Sequence, residues 1–151
     1  GVGSEEWKKE IKIFEDIVQV INKSSIRKTY TLISADHGLT NVDKESRFIL
    51  EYPESVEVFG DQRAVYANGP EEEVRKVFEN VPGNFITKNE LELLIGKSEN
   101  EYMDRLIPEY CFLVDKGNII FPKHLKADLV GYHGGLTDEE MKIPLIEFSN
   151  F

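Results

Sequence analysis

At 151 residues the chain is sized for one domain, or for a small domain carrying an insertion. It is 40% hydrophobic and 30% charged, which is enough apolar material for a core beneath an ordinary polar surface. The formal net charge of −10 argues against a nucleic-acid duplex as partner, because such binding depends on Lys and Arg neutralising phosphates. It leaves small phosphate compounds open, since a bound cation can reverse the local field.

The single cysteine, Cys111, excludes an internal disulfide framework and reads as a buried residue of the strand Tyr110-Cys111-Phe112-Leu113-Val114. No apolar run has the length of a membrane span, and the first residues lack a secretory signal pattern. A removed signal would leave no trace, so the compartment stays open with the cytoplasm favoured, and no membrane segment is expected.

In chain order, Ser4 is placed to cap a first helix, with Glu5 and Glu6 at its positive end. Trp7, Ile11, Phe14, Ile17, Val18 and Ile21 fall on one face at helical spacing, which predicts core packing. A polar turn over residues 22–28 leads to Thr29-Tyr30-Thr31-Leu32-Ile33-Ser34, predicted as a strand buried between helices. In an α/β sheet, ligands gather beyond the carboxyl ends of the strands, and Asp36 and His37 would sit there.

Between residues 52 and 125 the pattern changes to a small α+β unit, read as an insertion into a core made of residues 1–51 and 126–151. Within it, residues 61–67 are predicted as a strand ending at Asn68-Gly69. Pro70 then opens a helix with Glu71, Glu72 and Glu73 in its first turn and Val74, Val77 and Phe78 on one face. The glutamate run reads as helix-end electrostatics rather than a metal site. Residues 89–95 form a second predicted helix with Leu91, Leu94 and Ile95 inward. Asp115-Lys116-Gly117-Asn118 is predicted to close a hairpin between residues 111–114 and 119–121. Downstream, Thr137 and Glu140 have capping-box spacing, and residues 141–148 are predicted as a strand bent or kept at an edge by Pro144.

Two motifs carry the chemistry. Ser34-Ala35-Asp36-His37-Gly38 and Gly131-Tyr132-His133-Gly134-Gly135 each set a metal-competent side chain beside glycine. Asp, His and His suit an oxygen- and nitrogen-liganded ion such as zinc, and three ligands are too few for a complete two-metal site. Three further residues are candidates of lesser weight. His124 reads as a surface histidine. Arg63 suits bidentate contact with a phosphate but reads better as structural. Asp128 is spaced to orient His133.

Ile33-Ser34-Ala35-Asp36-His37-Gly38 and Gly131-Tyr132-His133-Gly134-Gly135-Leu136-Thr137, with Glu139-Glu140-Met141 and Ile143-Pro144-Leu145-Ile146, resemble the alkaline phosphatase superfamily. The branch is that of the type I phosphodiesterases and nucleotide pyrophosphatases. The resemblance covers about the first 50 and the last 25 residues. It implies an α/β fold, with this chain forming part of an alkaline-phosphatase-like sheet with flanking helices and carrying the inserted unit.

The resemblance also implies two zinc ions, one held in part by Asp36 and His37, the other in part by His133. The remaining ligands and the nucleophilic Thr or Ser belong on the N-terminal side of the Asp-His-Gly segment. Only 35 residues precede Asp36 here, and none fits. Asp16 is followed at the ligand spacing by Val20 rather than His. The chain is therefore expected to be the C-terminal part of a phosphodiesterase or nucleotide pyrophosphatase. It would hold no catalytic nucleophile, be inactive alone, and partner the missing N-terminal portion and a nucleotide or other small phosphodiester. Open alternatives are a phosphomonoesterase, sulfatase or phosphosugar mutase of the same superfamily, or a non-catalytic binding or structural domain.

Overall fold

A computed structural model describes residues 1–23, 28–121 and 129–149. Most of the polar turn after the first helix, and His124 and Asp128, lie outside the described residues. Helix α1 (Glu5–Lys23) begins where Ser4 Oγ accepts the Trp7 N–H at 3.2 Å. β1 (Tyr30–Ser34) and β2 (Thr40–Asn41) follow, then a 3-10 turn (Lys44–Ser46) and β3 (Arg47–Phe48).

β4 (Glu57–Gly60), β5 (Ala64–Asn68), α2 (Glu71–Phe78), β6 (Gly83–Thr87), α3 (Lys88–Ile95), α4 (Glu101–Asp104) and β7 (Tyr110–Val114) come next. The chain then adds β8 (Ile119–Ile120), β9 (Gly131–Tyr132), α5 (Asp138–Met141) and β10 (Leu145–Ser149).

The main sheet has the order β4-β5-β7-β6, with antiparallel neighbours throughout. Its core forms because α2 presents Val74 and Phe78 to the sheet; both are buried, and Phe78 stacks on Phe112 with ring centroids 4.6 Å apart. Val56, Val65, Ala67, Val81, Val114 and Ile120 complete the cluster. Cys111 is buried in β7 as its apolar surroundings required.

α3 starts from a true capping box, in which Thr87 Oγ1 accepts the Glu90 N–H and Glu90 Oε2 accepts the Thr87 N–H. Only Leu91 of its predicted inward residues is buried; Leu94 and Ile95 face out. The helix is barely two turns long, and Gly96, at φ +89°, ends it before a second apolar row can reach the sheet.

The predicted hairpin is not formed. The turn exists, with the Asn118 N–H bonded to the Asp115 carbonyl at 3.2 Å, but the strands that leave it diverge. β7 takes a central place between β5 and β6, so both its edges are occupied, while β8 pairs with β3 in parallel.

Three two-stranded ladders surround the candidate site: β1 with β10 and β2 with β9, both antiparallel, and β3 with β8. Here two further expectations fail. β1 alternates exposed and half-buried residues instead of lying buried between helices. α1 buries no side chain: Trp7, Ile11, Phe14, Ile17 and Ile21 of its apolar stripe are exposed. The stripe is correctly amphipathic, but periodicity states only that a helix has an apolar face, not what covers it. Among the described residues no helix is long and apolar enough to cross a membrane.

Candidate metal centre

Asp36, His37 and Gly38 leave the end of β1. That end is anchored to the return strand, because Ser34 Oγ donates to the Pro144 carbonyl at 3.1 Å and Ser34 pairs with Leu145. His133 and Gly134 leave β9, whose Tyr132 is buried against Val42 and Ile119. The short ladder of Thr40 with Tyr132 and Asn41 with Gly131 draws the two loops side by side. The Val42 N–H extends it to the Val130 carbonyl at 2.9 Å.

The result is direct ring contact. The His37 and His133 imidazoles stack with centroids 3.7 Å apart and planes 16° from parallel. Asp36 Oδ2 lies 3.6 Å from His37 Nε2, and Asp61 Oδ2 lies 3.7 Å from His133 Nδ1. The three residues singled out from sequence thus share one locality, with the Asp61 carboxylate beside His133.

Local bonds prepare the donors. His37 Nδ1 is 2.9 Å from the Gly38 carbonyl oxygen, which can only accept, so Nδ1 is the donor in that bond and Nε2 is the ring nitrogen left facing Asp36. A histidine held in this way by a backbone carbonyl is oriented as metal-binding histidines are. Asp36 accepts the backbone N–H of His37 at 3.0 Å. Its own backbone N–H, that of His37, and the neighbouring His37 and His133 imidazoles hold its carboxyl below the usual aspartate range. Asp36 is therefore a carboxylate at neutral pH.

Two glycines permit the approach of the loops. Gly38 donates its N–H to the Glu140 carbonyl at 2.8 Å, and a Cβ there would fall 1.9 Å from the Glu139 carbonyl oxygen. Gly134 has φ +105°, which carries the chain away from His133 in a conformation that side-chain-bearing residues rarely adopt.

Behind the site, Arg63 is fully buried and forms a two-pronged ion pair with Glu140. Its Nε donates to Oε1 at 2.5 Å and its Nη2 to Oε2 at 2.9 Å. This excludes Arg63 as a phosphate contact and confirms its structural reading. The capping box predicted for Thr137 and Glu140 does not form. α5 is present, but Glu140 turns inward to Arg63, and the Thr137 hydroxyl donates to Glu140 Oε2 at 2.7 Å rather than capping the helix.

Sequence reasoning missed Asp61 and the inward role of Glu140. Asp61 lies in the turn Gly60-Asp61-Gln62, before β5, and no spacing rule links that turn to His133.

The donor set of carboxylate oxygen and imidazole nitrogen suits zinc. Among the described residues, however, no three His, Cys, Asp or Glu side chains are arranged to hold an ion by themselves.

No family model and no curated protein matches the sequence. Solved structures do match in fold. Human ectonucleotide pyrophosphatase/phosphodiesterase 5 is 15% identical, with a TM-score of 0.69 over 97% of this chain and 42% of that one. The murine protein, solved as an inactive variant in complex with AMP, is 18% identical with a TM-score of 0.67 over 96% of this chain and 42% of that one. Phosphonoacetate hydrolase from Sinorhizobium meliloti 1021, in complex with phosphonoacetate, is 14% identical with a TM-score of 0.69 over 97% and 42%. The chain spans about two fifths of the length of these structures. At these identities the likeness is one of fold: α/β and alkaline-phosphatase-like.

Proposed function

We propose that this chain, sharing its fold with the pyrophosphatase/phosphodiesterase structures, is the C-terminal part of a zinc-dependent phosphodiesterase or nucleotide pyrophosphatase. The reading rests above all on the stacked pair His37 and His133, with Asp36 beside them, where the chain leaves β1 and β9. Asp36 and His37 would serve one ion and His133 a second, as ligands rather than as acid or base. Residues 52–125 would be an insertion that leaves the metal loops in place.

Each residue has a task that its surroundings support. Asp36 supplies an ionised oxygen held ready by backbone N–H groups. His37 offers Nε2 because its Nδ1 proton is engaged by Gly38. Asp61, beside His133 Nδ1, orients that ring. Ions held by these residues would supply polarisation of phosphoryl oxygens and stabilisation of the leaving oxygen in an in-line displacement. The nucleophile and the other ligands would come from a portion N-terminal to these residues. The uncovered stripe of α1 supports this reading, since an amphipathic helix of 19 residues with no buried side chain is suited to lie beneath further structure.

Hydrolysis of bis-nitrophenyl phosphate with zinc tests the proposal, using this chain and a form extended upstream in its natural coding sequence. Turnover only by the extended form supports it. Turnover by the 151 residues alone overturns the division of the site. Phosphonoacetate is the second substrate to offer, because the hydrolase of that compound matches the fold as well as the human phosphodiesterase does, each with a TM-score of 0.69. Release of phosphate from it, without diester cleavage, would move the assignment to phosphonate hydrolysis.

A further inference from the structure

Glu140 is joined to both histidine loops and to the sheet-bearing part of the chain at once. Its main-chain oxygen accepts the Gly38 N–H at 2.8 Å, one residue beyond His37. Its Oε1 accepts the Gly135 N–H at 2.9 Å, two residues beyond His133. Its carboxylate takes the Arg63 fork, and Arg63 Nη1 is tied in turn to the carbonyls of Asn118 at 2.6 Å and Asp115 at 3.2 Å. Two residues before Arg63 stands Asp61, the carboxylate beside His133.

Arg63 and Glu140 are both buried, and their hydrogen bonds run to each other, to Thr137 and to main-chain groups rather than to the histidine rings. A buried ion pair is costly to form, and replacing it by apolar residues is often neutral or stabilising, so stability alone is a weak reason for this pair. What it does supply is direction: a planar fork and a carboxylate engaged on every side admit few alternative placements.

From this geometry the structure assigns Arg63 and Glu140 the role of positioning residues, which hold the loops of His37 and His133 in mutual register. Acting through the loops, they leave the chemistry to the histidines. The consequence for zinc rests on the proposed metal reading; the consequence for the rings does not.

The test uses the whole 151-residue chain and the variants Arg63→Lys, Glu140→Gln and Thr137→Val. The last removes a single hydrogen bond to Glu140 and protects the experiment if a charged-pair variant fails to fold. Proton NMR without metal reads the nuclear Overhauser contact between the His37 and His133 rings, and the Phe78–Phe112 contact serves as a control for the core.

We expect Arg63→Lys and Glu140→Gln to lose the histidine contact, and Thr137→Val to weaken it, with the phenylalanine contact retained in every folded variant. A zinc titration against a chromophoric chelator should show affinity reduced about tenfold or more, the range for loss of a group that orients a ligand. An unchanged histidine contact in the folded variants overturns the assignment, as does loss of the histidine and phenylalanine contacts together. If the unaltered chain, which offers two ligands to one ion and one to the other, binds no zinc, the NMR contrast alone decides the positioning role, and the metal reading is tested by the extended form.

Discussion

His37 and His133 stack ring on ring at 3.7 Å, one leaving β1 and the other leaving β9. Their side chains remain more than a third exposed, and that of Asp36 is 87% exposed. Such residues contribute little to the core. Alanine at any of the three should leave the urea midpoint close to that of the unaltered chain, as is usual for surface substitutions. In an upstream-extended enzyme the same changes should abolish zinc-dependent hydrolysis. Urea titration beside a diesterase assay separates the two effects.

Glu140→Ala should behave in the opposite way. It leaves the Arg63 guanidinium buried without its partner, a loss that costs about 3–5 kcal/mol. By contrast Glu139→Ala removes exposed contacts, chiefly the pair with Lys116, and should move the urea midpoint little. Urea midpoints of the two variants, measured side by side, check the contrast between neighbouring glutamates.

Acid should reach the same pair. Burial raises the Glu140 carboxyl, but the bonds from Arg63, Thr137 and the Gly135 N–H outweigh it and hold the group below its ordinary value of 4.5. The unfolded chain therefore binds this proton more readily than the folded one. The stabilisation is complete above about pH 4.5 and is lost as the pH falls through the lowered folded value. Melting temperatures recorded from neutral pH downward should decline in this window, and Glu140→Gln should flatten the decline.

The thiol of Cys111 reports on the sheet. Burial in β7 pushes it up to about 11, so the reactive thiolate is scarce and enclosed. At about pH 8 a thiol reagent should label the chain only as fast as β7 opens. Labelling in the native state at the rate of a free thiol would contradict the packing of Tyr66 against Cys111 across that strand pair.

Gly38→Ala tests the tightest approach at the site. Its Cβ would collide with the Glu139 backbone oxygen, and backbone cannot swing aside as a side chain can. A loss of about 1–3 kcal/mol is expected, with the Gly38–Glu140 bond broken. Hydrogen exchange at the Gly38 amide reads that bond directly.

Much of this was legible in the chain. Asp36, His37 and His133 announce themselves through residue type and adjacent glycine, and Val74 and Phe78 through helical spacing. What escaped was relational. Asp115-Lys116-Gly117-Asn118 specifies a turn but not whether its strands pair, and β7 was claimed on both edges by β5 and β6. Glu140 carries the same letter whether it caps a helix or anchors a buried arginine, and only the arrival of Arg63 from the other side of the fold decides between them. The stripe of Trp7, Ile11 and Phe14 is similar: periodicity defines a face, and its cover depends on structure elsewhere.

The ribbon of β1 and β10 acts as a ruler. Its lower end is marked by Tyr30 Oη donating to Glu147 Oε2 at 2.8 Å, and its upper end by the Ser34–Pro144 bond. Because neither face of the ribbon is buried, side-chain pattern alone does little to resist slippage. A two-residue slip would keep every side chain on its own face yet carry β1 about 7 Å along its partner. Counting therefore matters as much as chemistry here: the number of residues between Glu140 and Leu145 links the Gly38–Glu140 bond to the register of the ribbon.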